Sequence, residues 1–195
     1  MNISEVKKMF VKDFYNPTYM GWRVRGDRAG NVIVGAEYEN HREKLYTKLG
    51  FEVTSGKKVF DTNYDCDTAV ELNGKTVILE EDKAHYVDNC FLTRALSNVA
   101  EVMLSCVNND YDPPWFILSC ATKMNNFQEI FEKRVCLYRE DLQELIREKF
   151  MYFPMCQHDR INPKKYFQTK ENCFEFDDNL IQEQLDFLER VKNGK

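Results

Sequence analysis

The spacing of hydrophobic positions changes several times along the chain, and each change marks an element. Ser4 precedes a short run, Glu5 to Phe14, that reads as a helix ended by Asn16-Pro17. The stretch Gly21 to Gly26 is turn-rich, with room for short strands. Over residues 36–49, Tyr38, Leu45 and Leu49 form an apolar stripe at helical spacing, and Gly50 supplies the stop. Phe51 to Val59 alternates in part and reads as an edge strand. Cys66 to Leu72 alternates through Thr68, Val70 and Leu72, and Asn73-Gly74 then gives a strong hairpin signal. The returning strand, Thr76 to Lys83, opens with Val77-Ile78-Leu79. A run apolar on both faces predicts a central strand covered on both sides.

Farther along, Leu92, Leu96, Val99 and Met103 place a helix over residues 87–104. A loop over 108–114 leads to a short apolar strand, Trp115 to Cys120. The stretch Phe127 to Phe150 is helical in pattern, with a break near Cys136 to Arg139. Tyr152 to Met155 has strand character, and Asp177 to Val191 forms an amphipathic tail helix. This order predicts an α/β (or α+β) fold, a central mixed β-sheet flanked by helices. The 195 residues suit one domain with one real core.

Charge and cysteine content alter this picture little. A formal net charge of −5 disfavours a broadly basic nucleic-acid surface. Lys57, Lys58, Arg160, Lys164, Lys165 and Lys170 nevertheless occur in short basic groups that a fold can gather on one face. The seven cysteines are odd in number and show no CxxC spacing, which argues against a disulfide framework and a zinc finger and favours small buried hydrophobes. The three histidines make no metal-binding pair, and no phosphate-binding GxxxxGKS loop is present. Without a leader-like segment or a long apolar run, the expectation is a cytoplasmic protein with no membrane association.

The candidate chemistry lies on the central hairpin. Asp65, Asp67, Glu80, Glu81, Asp82 and Lys83 sit on or beside it, and carboxylates rarely occupy a central strand unless paired or metal-bound. Strand alternation puts Glu81 and Lys83 on one face and Glu80 and Asp82 on the other. The turn can bring Asp67 alongside Glu81, with the main-chain carbonyl of Asp82 between the two facing side chains. Such oxygens suit magnesium, which takes one or two carboxylates and keeps several waters. In phosphodiester hydrolysis that ion would polarise the phosphate and activate a bound water, and the adjacent lysine would orient the water or offset charge on the phosphorane. The ordinary alternative is a solvated acidic strand end.

The pattern Asp67, thirteen residues, Glu81-Asp82-Lys83, preceded by the apolar run Val77 to Leu79, resembles the PD-(D/E)xK nuclease signature, most closely that of small type II restriction endonucleases. The resemblance covers about residues 36–122. It implies a restriction-endonuclease-like core, with Asp67 and Glu81 as metal ligands alongside Asp82, Lys83 as the catalytic lysine, and Mg2+ as cofactor. Cys66 stands where the signature has proline, and Asp65 competes with Asp67 for the first ligand position. Glu37 or Glu39 would be the accessory acid some members add, and His85 could touch a phosphate.

By the same resemblance the chain is a site-specific double-stranded DNA endonuclease acting as a homodimer, a two-fold protein on a two-fold site. Residues 123–195 would supply recognition and dimerisation. Gln157, Arg160 and Asn162, in a polar cluster after a strand, have side chains able to read base edges. Two other outcomes stay open: a structure-specific or phage-type DNA nuclease, and a non-catalytic DNA-binding or interaction protein on the same fold.

Overall fold

The computed structural model describes residues 1–14, 28–86, 89–156 and 176–194, with side chains at all of these except 11–14, 28–34, 56–57, 84–86 and 122. Its elements follow in the order α1 (Ile3–Phe14), α2 (Arg28–Leu49), β1 (Glu52–Lys58), β2 (Asp65–Leu72), β3 (Lys75–Tyr86), α3 (Asn89–Asn109), β4 (Trp115–Thr122), α4 (Phe127–Val135), α5 (Glu140–Lys149), β5 (Phe150–Cys156) and α6 (Asp178–Lys192). The strands form one five-stranded mixed sheet in sequential order. β1, β2 and β3 pair antiparallel, and β3, β4 and β5 pair parallel. β1 lies at one edge, as its partial alternation predicts, and β3 in the middle, as its run apolar on both faces predicts. The turn-rich segment Gly21 to Gly26 falls outside the described residues.

Alternation along the strands divides the apolar residues between two cores. Val70, Ile78 and Ile117 face α1, α2 and α6, where Phe10, Tyr38, Leu45, Ile181 and Leu188 bury against them. Ala69, Leu79, Phe116 and Leu118 face the other way, onto α3, α4 and α5 through Leu92, Leu96, Val99, Phe131 and Ile146. Both faces of β3 are thus covered, which explains its unbroken apolar run. α3 has the length and composition of a membrane-crossing helix. Its apolar stripe, including Leu92, Leu96, Val99 and Met103, is buried against the sheet.

Several boundaries shift in ways the backbone explains. α2 starts at Arg28, eight residues before the start at residue 36 that the apolar stripe predicts. The long helical stretch after Phe127 breaks at Cys136 to Arg139 into α4 and α5. The cysteine expectation needs correcting: Cys66, Cys106, Cys120 and Cys156 are buried, but Cys90 and Cys136 are exposed. Each of those two occupies the solvent side of a helix end that the apolar pattern does not reach.

Two local devices set the hairpin and the tail helix. Asn73 and Gly74 both take positive φ, 53° and 75°, the conformation of the tight turn that matches strand twist. A Cβ added at Gly74 would meet nothing within 4 Å. Gly74→Ala should therefore cost about 1 kcal/mol through the backbone alone, read as a lowered midpoint in urea unfolding with an unchanged slope. At α6, the Asp177 carboxylate accepts from Asn179 N and Leu180 N at 2.9 and 3.2 Å, a conventional N-cap. The other end of α6 sends Lys192 Nζ to the Leu49 carbonyl at 2.6 Å, closing the C-terminus of α2.

Candidate functional site

The register fixes which acids meet. Thr68 stands opposite Glu80, and Ala69 opposite Leu79, so the ends of β2 and β3 carry Asp67 towards Glu81 and Asp82. Asp67 Oδ2 accepts the main-chain N–H of Asp82 at 2.8 Å. Asp65 is exposed at the start of β2, and Asp67 is the carboxylate whose charge reaches Glu81.

On the face towards α3 lie Glu81 and Lys83. Glu81 is 7% exposed. Burial, then the charge of Asp67, pushes its carboxyl up to about 7, while Tyr64, Arg94 and Asn98 pull in the opposite direction. Asp67 is also raised, chiefly by burial, against the Asp82 N–H and the cations Arg94 and Lys83. Lys83 Nζ sits 4.5 Å from the centre of the Phe91 ring, and Arg94 Cζ sits 4.9 Å from the same ring. The Tyr64 hydroxyl is buried and without a hydrogen-bond partner among the described residues. It is close enough to Glu81 to favour the anion.

α2 adds one more acid from the side. Glu39 is raised by burial and then by the charge of Asp67, which places it beside the pair. Glu37 has one buried carboxylate oxygen without a hydrogen-bond partner among the described residues. The His85 side chain and the residues Gln157, Arg160 and Asn162 lie outside the described residues.

On the opposite face of β3, Glu80 and Asp82 enter a buried polar cluster. Arg42 grips Glu80 through two hydrogen bonds, Nε to Oε1 at 2.6 Å and Nη2 to Oε2 at 2.9 Å, and the Tyr46 hydroxyl also donates to Glu80. Arg42 Nη1 donates to Gln184 Oε1 at 2.9 Å, and Gln184 Nε2 reaches the Pro154 carbonyl at 3.1 Å. One guanidinium thus ties α2, β3, α6 and, through Gln184, β5. Asp82 Oδ1 is 4.0 Å from Arg42 Nε, and neither of its carboxylate oxygens has a hydrogen-bond partner among the described residues. Burial, followed by the charge of Glu80, holds the Asp82 carboxyl well above the usual range.

The sequence singles out Asp67, Glu81 and Lys83 but not the side chains around them. Tyr64, Phe91, Arg94 and Asn98 come from a loop and a helix that reach the hairpin only in three dimensions. The one visible hint is that Arg94 and Asn98 are polar and four apart, within a helix of otherwise apolar stripe.

Among the described residues no group of three or more His, Cys, Asp or Glu side chains gathers into a metal cage. Asp82 directs its carboxylate to the Arg42 side, leaving Asp67 and Glu81 as the facing pair. Two carboxylates with waters and a substrate phosphate fit the demands of magnesium. Both are held partly out of water, where a divalent cation would relieve the cost of their ionisation. Comparison with family models, curated proteins and solved structures finds no match for this chain.

Proposed function

We propose that this protein is a magnesium-dependent, sequence-specific endonuclease of double-stranded DNA, of the type II restriction kind. The observation that carries the reading is the meeting of Asp67 and Glu81, two desolvated carboxylates, beside Lys83 at the end of one hairpin. The element order from α2 through β4 supports it as well, being that of the core the sequence pattern resembles. Buried acids that raise one another cost stability, and a fold retains such a cost where ligand binding repays it.

Magnesium held through Asp67 and Glu81 would supply Lewis-acid polarisation of the phosphate and a more acidic water. The chain's own residues do the rest. Lys83, packed on Phe91, keeps its ammonium at the acid pair, where it orients the attacking water and offsets charge on the phosphate. Asp67 is held in place by the Asp82 N–H. Two-fold association would let each subunit cut one strand of a palindrome.

The test is incubation with supercoiled and linear plasmid, with magnesium or with a chelator. Discrete fragments that require magnesium are expected, and Asp67→Asn or Lys83→Met should abolish them. A magnesium-dependent smear would instead favour a nonspecific or exonucleolytic enzyme. Cutting undiminished in Asp67→Asn would overturn the site.

A further inference from the structure

The cations beside the acid pair are not consumed by the fold. Arg94 is exposed in the second turn of α3, and neither Arg94 nor Lys83 makes an ion pair among the described residues. Both stand against one buried aromatic ring, that of Phe91, at 8% exposure. A ring face fixes a cation without neutralising it and leaves the guanidinium edge free to donate. Both cations also act on the acids: Arg94 lowers Asp67 and Glu81, and Lys83 lowers Asp67.

Charge then decides what the cluster can hold. When Asp67, Glu81 and Glu39 are all ionised they outnumber the two cations, and the site on its own is net negative and repels a phosphate. Adding one divalent ion reverses the sign, and the site becomes an anion site with an exposed guanidinium resting on the Phe91 ring.

We infer that Arg94, braced on Phe91 beside Lys83, docks a backbone phosphate of the strand being cut, and that this grip engages only when the acid pair carries a divalent cation. The inference rests on the nuclease reading. Arg94 contributes position, not sequence recognition, because a phosphate oxygen looks the same at every base. Its fork geometry matters as well as its charge, since a guanidinium gives two parallel donors where an ammonium gives a point charge.

The experiment is equilibrium binding of short DNA duplexes, of varied sequence, to the full chain across a salt series, with calcium in place of magnesium and separately with a chelator. Arg94→Gln should bind all duplexes about tenfold more weakly in calcium, with a salt dependence shallower by about one unit of slope. In the chelator it should match the unsubstituted protein. Arg94→Lys should keep the slope but lose several-fold in affinity, and it serves as a second variant if Arg94→Gln melts early. If the unsubstituted protein binds no duplex with calcium, the nuclease reading fails and the docking role falls with it. If it binds, but Arg94→Gln and Arg94→Lys match its affinity and slope, the docking role alone is overturned. A loss that is equally large in the chelator would overturn the metal-gated grip.

Discussion

Replacing Glu81 by Gln is expected to abolish DNA cutting while making the protein more stable at alkaline pH. The sign follows from the carboxyl being raised from an ordinary value of 4.5 to about 7 in the fold. The folded chain therefore holds this proton more tightly than the unfolded chain. Below about pH 4.5 both states keep it and Glu81 costs nothing. Between about 4.5 and 7 the unfolded state gains stability by ionising first. Above 7 the folded state bears the full cost of a buried anion beside Asp67, about 3 kcal/mol. Glu81→Gln removes that cost with little change in shape, so its melting temperature should exceed that of the original chain at pH 8 and match it near pH 4. If the acid pair holds magnesium in the folded state alone, the ion should raise the melting point of the original chain at pH 8 and have much less effect on the variant. Cutting should fall by at least about a hundredfold. A variant that loses stability at pH 8 would show Glu81 to be a structural acid, and one that cuts normally would remove it from the site.

The elements were legible because their signals are local. Asn73-Gly74 announces the hairpin and pairs Leu72 with Lys75, and a run apolar on both faces announces the central position of β3; the register shift at Val70/Glu71, which moves Asp67 from Glu80 to Glu81, has no signal in the sequence. Strand period alone separates Glu81 and Lys83 from Glu80 and Asp82; that the first pair faces α3 and the second α2 is set by packing across elements. What the sequence did not disclose is everything supplied across elements. Nothing near Glu80 in the chain announces that Arg42, thirty-eight residues earlier, cancels its charge, or that Gln184 completes the guanidinium shell. The same limit hid Tyr64, Phe91, Arg94 and Asn98 around Glu81. Exposure of Cys90 and Cys136 was missed for a related reason: composition says that cysteines tend to be buried, but only the helix phase says which side each one takes. Asp65 and Asp67 share a face by parity; Asp65 is exposed at the strand end, and Asp67 lies deeper, where its charge acts on Glu81.

The second large effect belongs to the opposite face of the same strand. Arg42→Ala should destabilise the protein by about 3–5 kcal/mol, because it leaves Glu80 buried without its partner and Asp82 without the nearest positive charge. Urea unfolding followed by circular dichroism would measure it. The loss comes from the stranded carboxylate more than from the missing attraction, so Arg42→Met combined with Glu80→Met should recover most of it. Raising pH should deepen the defect of Arg42→Ala, since the carboxyl of Asp82, already held high by burial and Glu80, would then be forced to ionise with no cation near it. If Arg42→Ala unfolds no more easily than the original chain, the cluster is not what joins α2 and α6 to the sheet. A measured loss would tie the two faces of β3 together. Arg42 fixes Glu80 and sits beside Asp82, and the N–H of Asp82 holds Asp67 in place on the α3 side. A partial unfolding of the Arg42 cluster should therefore blunt cutting at temperatures where the α3 side of the sheet is still folded.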